Sequence, residues 1–517
     1  MNIRKYIFLL AISSLSIFTA CRGDDPTPTP TPKPTPTEKP DPVNDFVWKA
    51  MNSWYYWQAN VPSLADSYKS DNAKYVSLIN GKTPDKLFYS LLYQYGKMDR
   101  FSWIENNNKI INPTSRIAEV EKDSGLHIGI YPKGQNSSNY VALVHYVVPG
   151  SSAANAGIKR GDVITKINGT YITDGNMGGF DADSYSVTRA ETVVLSADAN
   201  GYAVLTTTDK SESISLVTTD IDENPIAFSK VFELGGKKIG YLVYNGFKID
   251  YNSQLNAKFA EFKAAGINEL ILDLRYNGGG SLTTALGLAQ MINGNYTNQN
   301  YVYLDYNDKH NIWDGFDTLS NKLEIFKVVN GHPEKTGEES VNSLSLPRVY
   351  ILQSFQTASA SELTISSLNK YVPVTTVGWY TVGKFVGSHT LYDSPNDDWT
   401  NYEKRNTVHN WQLQPITFAY YNKDKDAHPV DTGGDVTITP NNRIHPYYAF
   451  NNIKEFGNTS DPELKKALEL ITGTTLRTAG ISYPEMNPNV RVVTKEKNPA
   501  KGLYINDINE YLKRKRN

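Results

Sequence analysis

The chain has 517 residues, room for about three domains and a large core. Its 52 Lys and Arg against 54 Asp and Glu leave a net charge of −2, which argues against a general nucleic-acid binder. A single cysteine, Cys21, excludes disulfides within the chain and a cysteine-based zinc cluster. Eight scattered histidines with no His-Glu-x-x-His spacing speak against a metal-dependent hydrolase, so neither metal nor cofactor is expected.

Residues 1–20 read as a targeting segment. Arg4 and Lys5 precede an apolar run from Tyr6 to Phe18, too short for a good membrane span. Thr19-Ala20-Cys21 resembles a bacterial lipoprotein signal, cleaved before Cys21 with lipid on its sulfur, although Phe18 stands where leucine is commonest. An ordinary signal peptide with an incidental Cys21 is the competing reading. The resemblance implies export and a lipid anchor in the bacterial outer membrane, with a periplasmic location otherwise. Asp24-Asp25 resembles the surface-export tag of some Bacteroidetes-type lipoproteins. Residues 21–43 form a Pro/Thr-rich linker that cannot bury a core. As extended polyproline II, at about 3.1 Å per residue, its Pro/Thr stretch 26–42 would hold the body roughly 50 Å from the membrane.

Residues 44–118 read as small and helical. Asn44 is placed to cap a helix whose apolar face is Val47, Ala50, Met51 and Trp54. Thr83-Pro84-Asp85 starts another, with Leu87, Leu91, Leu92 and Tyr95 as its stripe and Gly96 as its end. The cluster Trp54 to Trp57 suits core packing better than ligand binding. Asp99-Arg100-Phe101-Ser102 closes this region.

Residues 119–218 carry small-residue and turn signals. Ala153, Ala154 and Ala156 suit a short helix close to a sheet, and Gly157 its left-handed cap. Gly161-Asp162 and Asn168-Gly169 are turn dipeptides around the alternating strand Val163 to Ile167. The run from Pro149 to Gly169 resembles a PDZ domain, and Ser124 to Gly129 stands where that fold has its carboxylate-binding loop. The resemblance implies that Gly125, Leu126, His127 and Ile128 take up a peptide C-terminus by strand addition. A purely structural PDZ-like cap is the alternative. His127 is polar where such loops are usually apolar, which leaves side-chain preference open.

From about 225 to 472, strands alternate with helices, which predicts an α/β layer with a mostly parallel sheet. Ile239 to Tyr244 is a strand, Leu255, Phe259 and Phe262 mark a helix, and Glu269 to Leu274 is the next strand. Asn277-Gly278-Gly279-Gly280 ends it, and glycines there let a backbone N–H approach a substrate carbonyl; a plain tight turn is the competing reading. Residues 299–346 look like a polar insertion of little periodicity, a candidate lid or surface subdomain.

Val349 to Leu352 reads as a buried strand and Leu363 to Leu368 as a helix, so Ser359 falls at a strand-to-helix turn. Free N–H groups at such a helix start point at whatever binds there. A serine nucleophile needs a base, and no histidine lies near in sequence. Lys384 lies 25 residues on, in the apolar segment Val382 to Val386, where desolvation would favour its neutral amine. Ser359-x-x-Glu362 is equally a capping box, and Lys384 alone is equally a snorkelling surface lysine.

Thr-Ala-Ser-Ala-Ser-Glu at 357–362, with Lys384 at that spacing and Asp-Leu-Arg-Tyr-Asn-Gly-Gly-Gly at 273–280, resembles the C-terminal processing (tail-specific) peptidase family. The resemblance covers residues from about 99 to 472. It implies a multidomain α/β serine endopeptidase: a small N-terminal helical region, a PDZ-like β-rich domain, and an α/β Ser-Lys peptidase domain. Ser359 would be the nucleophile and Lys384 its base. Gly279 and Ala360 N–H groups would form the oxyanion hole, with Gly280 as the alternative to Gly279.

Two positions depart from the family pattern. Lys370 stands where many members carry an acid, on what reads as a solvated helix end. Ser388 stands where many carry the glutamine that orients the lysine, and its hydroxyl could accept the same hydrogen bond. The adjacent His389 could substitute in that role but reads rather as a surface residue, and Glu362 reads as a helix-start anchor. Gly433 to Pro440 resembles the strand that closes the catalytic domain, Pro462 to Ile471 the helix after it, and 473–517 an extension with a fraying basic end. Expected partners are protein or peptide C-termini and, through the lipid, a membrane. The rival reading is a catalytically inactive relative that binds peptides through its PDZ domain at the cell surface. A pocket protein like the retinoid-binding relatives is a third, and the Ser–Lys pair counts against it.

Overall fold

The computed structural model describes residues 38–106, 120–329, 332–426, 438–476 and 503–504. The expected targeting segment, Cys21, most of the linker, the 433–437 part of the closing strand and the basic end lie outside the described residues.

The longer N-terminal helices are α1 (Pro42–Trp54), α2 (Asn72–Ile79) and α3 (Pro84–Ser90), with a five-residue helix at Asp66–Ser70 between the first two. Asp41, not Asn44, caps α1: its carboxylate accepts the Asn44 N–H at 2.9 Å, with Pro42 just inside the helix. Asn44 is one turn in and buried, and its amide donates to Ile79 O and Lys82 O, tying α1 to the turn after α2. Helix α3 stops at Ser90, before the expected stripe is complete. Leu87, Leu91 and Leu92 are buried, but Tyr95 lies beyond the helix and is exposed. Trp48, Trp54 and Tyr55 share one core with helices of the 225–472 region, as their bulk demands.

Strand β1 (Trp103–Asn106) follows. The PDZ-like region comprises β2 (Val120–Asp123), β3 (Leu126–Pro132), β4 (Tyr140–Val147), α4 (Ser152–Asn155), β5 (Val163–Ile167), β6 (Ser184–Ala197) and β7 (Ala203–Asp209). Its sheet runs β3-β4-β5-β6-β7, with short strands Thr170–Tyr171 added on β5 and Ile214–Val217 on β6, which leaves β3 on an edge. Gly157 at φ 73° ends the small-residue helix, and Asn168-Gly169, both at positive φ, turn the chain as the dipeptide predicts. The helical elements of this region are short: α4 and one 3₁₀ turn at Met177–Asp181.

After β8 (Thr219–Asp222), the catalytic sheet is built from β9 (Ile226–Leu234), β10 (Lys237–Tyr244), β11 (Glu269–Asp273), β16 (Val349–Gln353) and β17 (Val374–Gly378), in that spatial order. The last four are parallel and β9 is an antiparallel edge, so the α/β reading holds. Helices α5 (Asn252–Ala264), α6 (Leu282–Ile292), α7 (Ala360–Leu368) and α8 (Pro462–Thr472) cover it. Because parallel strands are buried on both faces, β11 and β16 are continuous apolar runs apart from their ends.

The 299–346 stretch is ordered sheet, not an aperiodic insertion. β12 (Asn300–Tyr306) and β13 (Gly315–Thr318) enter a second sheet, and β14 (Lys322–Val329) with β15 (His332–Ser340) make a hairpin. The second sheet runs β13-β12-β20-β18-β21, with β18 (Val386–Ser388), β20 (Ile416–Asn422) and β21 (Leu503–Tyr504). β19 (Trp411–Gln414) pairs with β1. The polar side chains that hide periodicity in 299–346 are those on the outward faces of these strands and on the hairpin.

Candidate active site

Strand β16 is wholly buried and delivers the chain to a tight loop. That loop is sewn to the turn after β11. Thr357 Oγ1 donates to Leu274 O at 2.8 Å, Ala358 N–H to Asn277 O at 3.1 Å, and Ser361 Oγ to the same carbonyl at 3.0 Å. The two sequence motifs thus lie side by side.

Ser359 is the N-cap of α7, with φ 59° and ψ −112°. A residue with a Cβ seldom adopts such a backbone, and it persists only where the surroundings over-determine it. Its N–H donates to Glu362 Oε2 at 2.7 Å, its carbonyl accepts the Leu363 N–H at 2.7 Å, and the Tyr420 hydroxyl lies 2.9 Å from the same carbonyl. The side chain is fully buried.

Lys384 is also buried, but it lies in the loop between β17 and β18 rather than on a strand. Glu362 organises that loop: Gly383 N–H donates to Oε1 at 2.6 Å and Lys384 N–H to Oε2 at 2.8 Å. One carboxylate oxygen therefore receives both the Ser359 and the Lys384 N–H, which keeps the two backbones adjacent. Burial pushes the Glu362 carboxyl above its ordinary range, opposed by the donors from Thr381, Ser359, Gly383 and Lys384. Glu362 is thus the anchor of a capping box, and it serves two segments. Lys384 Nζ stands 4.6 Å from the centroid of the Phe101 ring. The Asp99–Ser102 link is therefore a wall of the site. Asp99 Oδ1 shapes it by accepting the Phe101 and Ser102 N–H groups.

Gly279 sits against Ser359. A Cβ there would lie 2.8 Å from Ser359 Cβ and 3.0 Å from both Ala358 O and Ala360 N, and its φ of 108° already excludes most side chains. Ala360 N–H is in the first turn of α7, among the donors a helix leaves without an internal acceptor. The Gly279 N–H, by contrast, donates to Asn277 Oδ1 at 2.9 Å. Gly280, at φ 137°, lies against the Phe247 backbone.

Ser388 Oγ accepts the Gln414 Nε2–H at 2.8 Å, and Thr390 Oγ1 donates to Gln414 Oε1 at 2.7 Å, which fixes the amide orientation. A glutamine thus reaches Ser388 from β19. His389 is fully buried, not on the surface, and faces Trp54, Tyr306 and Phe418. Burial, then His310, pull it down to about 3, so it stays a neutral core residue. Lys370 pairs with Asp426 at 2.5 Å and Asp424 at 3.2 Å.

In the PDZ-like region, Gly125 N–H donates to Asp123 Oδ1 at 2.7 Å, so an internal carboxylate already occupies that loop donor. Leu126 is buried. His127 stacks on Tyr146 with centroids 4.1 Å apart, and its Nε2 meets Glu223 at 3.1 Å. Ile128 O receives Gln356 Nε2 at 3.4 Å, while Gln356 Oε1 meets His145 Nδ1 at 2.8 Å. Gln356, three residues before Ser359, thus joins the catalytic loop to β3 and β4. His145 is fully enclosed. Burial first, then the Arg160 charge, pull it down to about 3. Arg160 completes this seam, donating to Tyr276 OH at 2.8 Å, Lys454 O at 2.7 Å and Asp461 Oδ2 at 3.3 Å. Arg275 holds Asp461 from the catalytic side at 2.8 Å.

Comparison with known proteins finds matches along most of the described chain. The peptidase family S41 profile matches residues 238–425, the peptidase S41 N-terminal domain residues 42–103, and a PDZ domain residues 143–178. A carboxyl-terminal-processing protease of Picosynechococcus is 25% identical over 277 residues, 53% of this chain and 56% of that protein. A chloroplastic C-terminal processing peptidase of Tetradesmus obliquus is 26% identical over 188 residues, 34% of this chain and 40% of that protein. The chain thus spans about half the length of the curated relatives it matches. A solved S41 protease of Bacteroides fragilis superposes with a TM-score of 0.60 at 24% identity, over 85% of this chain and 99% of that one, which shows a shared fold.

Proposed function

We propose that this chain, which belongs to peptidase family S41, is a serine endopeptidase working through a Ser359–Lys384 pair. The observation that carries the reading is the strained backbone of Ser359 at the start of α7, held to the buried Lys384 loop by a single carboxylate. Neutral Lys384 takes the Ser359 Oγ proton as the oxygen attacks a peptide carbonyl. Ala360 N–H receives the developing oxyanion, with Gly280 N–H as second donor or Gly279 N–H once released from Asn277. The leaving amine takes the proton from Lys384, and water hydrolyses the acyl-enzyme. Because Ser359 is fully buried, substrate entry requires the site to open.

The PDZ-like region captures a protein or peptide C-terminus along the β3 edge, through Gly125 to Ile128. Asp123 must give up the Gly125 N–H for the incoming carboxylate. Cys21 carries lipid, and the enzyme works outside the cytoplasm, anchored to the outer membrane.

The test compares the full chain with Ser359→Ala and Lys384→Ala on a denatured protein with an apolar C-terminus, across pH. Cleavage by the parent alone, rising toward alkaline pH as an amine loses its proton, is the expected result. Equal cleavage by Ser359→Ala refutes the site. No cleavage by any of the three, with peptide still bound, leaves a PDZ-based peptide-binding protein.

A further inference from the structure

The proposed mechanism needs one peptide unit aimed correctly. The Ser359 carbonyl and the Ala360 N–H belong to the same planar trans peptide and point in opposite directions. Whatever holds the carbonyl therefore aims the N–H that would meet the oxyanion.

Two donors hold that carbonyl. Leu363 N–H, at 2.7 Å, is the ordinary helical partner. The other is the Tyr420 hydroxyl at 2.9 Å, from β20 in the second sheet. The same hydroxyl donates to Lys384 O at 2.5 Å. A phenol has one hydrogen, so it is shared between the two carbonyls. The ring is fully buried and packs against Phe385 with centroids 5.8 Å apart. Three segments distant in sequence, at 359, 384 and 420, thus meet at one oxygen atom. Glu362 clamps the N–H side of the same two residues, and Tyr420 clamps their carbonyl side.

We propose that Tyr420 is a positioning residue for catalysis: its hydroxyl aims the Ala360 N–H and keeps the Lys384 loop in register with Ser359. This rests on the serine-peptidase reading. Tyr420 does not reach the reacting atoms; it acts through the Ser359 and Lys384 peptides. Without the hydroxyl, both carbonyls lose a donor inside the core. The strained 359–360 peptide is then held by Leu363 N–H alone and tilts toward relaxed geometry, which turns the Ala360 N–H off target and shifts the loop that carries the amine.

The test measures kcat, KM and the pH profile of kcat for the full chain and for Tyr420→Phe, Tyr75→Phe and Ser359→Ala. Tyr75 donates a comparable buried hydroxyl to Asp45 in the N-terminal helices and serves as control. Tyr420→Phe is expected to lower kcat about 30-fold, a fraction of the ~10²–10³ that loss of an oxyanion donor costs. KM should stay within twofold, and the pH of half-maximal kcat should move by half a unit or more. Tyr75→Phe should match the parent. 3-Fluorotyrosine at position 420 keeps both ring and hydroxyl, and should restore kcat to within threefold of the parent even if Tyr420→Phe folds poorly.

A Tyr420→Phe kcat within threefold of the parent overturns the proposal, as does a fall with an unmoved pH profile. A fluorotyrosine protein as slow as Tyr420→Phe also overturns it, since ring shape would then carry the effect. Failure of the underlying reading appears separately, as an inactive parent or an active Ser359→Ala, and the Tyr420 proposal falls with it.

Discussion

Gly279→Ala perturbs the site with one methyl group, and its effect can be worked from two observations. The added Cβ would meet Ser359 Cβ at 2.8 Å and Ala358 O and Ala360 N at 3.0 Å. Ordinary contacts begin near 3.4 Å, so something must move by about 0.5 Å. Two of the three neighbours are backbone atoms of the catalytic loop and cannot rotate aside. The φ of 108° adds backbone strain of about 1–3 kcal/mol, and overpacking adds a similar amount. The variant should therefore lose about 2–6 kcal/mol of stability.

Its kcat should fall further than stability alone would dictate. With Ser359 as the proposed nucleophile, a shift of ~1 Å costs about 10²-fold and ~0.5 Å about tenfold, and crowding of the proposed oxyanion donor Ala360 N–H removes part of the further ~10²–10³ such a donor supplies. A fall of about 10²–10³ in kcat is expected. The assay pairs peptide hydrolysis with thermal melting, and Gly266→Ala separates the two causes. Gly266 has φ 69° with nothing within 4 Å of its added Cβ, and it lies in the turn between α5 and β11. That control should melt lower and keep the parent kcat. A Gly279→Ala protein with kcat within threefold of the parent would refute the placement of this glycine against the reacting serine.

Two further perturbations test the seam between the PDZ-like region and the catalytic sheet. His145 is held down to about 3 from an ordinary 6.5, so its stabilising share is present above pH 6.5 and is lost as pH falls toward 3. Between pH 7 and pH 5 the parent should lose about 2 kcal/mol through this side chain, and His145→Gln should lose that much less, as read by urea melts at the two pH values. Identical pH dependence in the two proteins would contradict the assignment. Arg160→Ala leaves Tyr276 OH and Lys454 O without their donor and removes one partner of the buried Asp461. It should destabilise by about 3–5 kcal/mol, and a loss under 1 kcal/mol would show that Arg275 alone satisfies the site.

Much of this protein was legible in the chain itself. Continuous apolar runs marked β11 and β16 because parallel strands are buried on both faces and must be apolar throughout. Asn168-Gly169 announced its turn because few residue types reach positive φ. The order of the Asp-Leu-Arg-x-Asn-Gly-Gly and Ser-Ala-Ser-Glu motifs, with a lysine 25 residues on, pointed to the peptidase family from the chain alone. Where local signals misled, a longer-range contact had won. Asp41 took the cap from Asn44, whose amide was needed by the α2 turn. The 299–346 stretch hid its strands because their partners, such as β20, lie far along the chain.

The rest was decided only by the tertiary structure. Tyr420 looks like any alternating residue of an apolar strand, Gln414 like any polar one, and Phe101 like part of a connecting link. Each acquires its role by where folding delivers one polar atom or one ring face: a hydroxyl to two carbonyls, an amide to Ser388, a ring beneath Lys384 Nζ. Residue type and spacing along the chain nominated Ser359 and Lys384. Hydrogen bonds between segments tens to hundreds of residues apart leave no periodic trace in the sequence, so the geometry that holds those groups belongs to the fold.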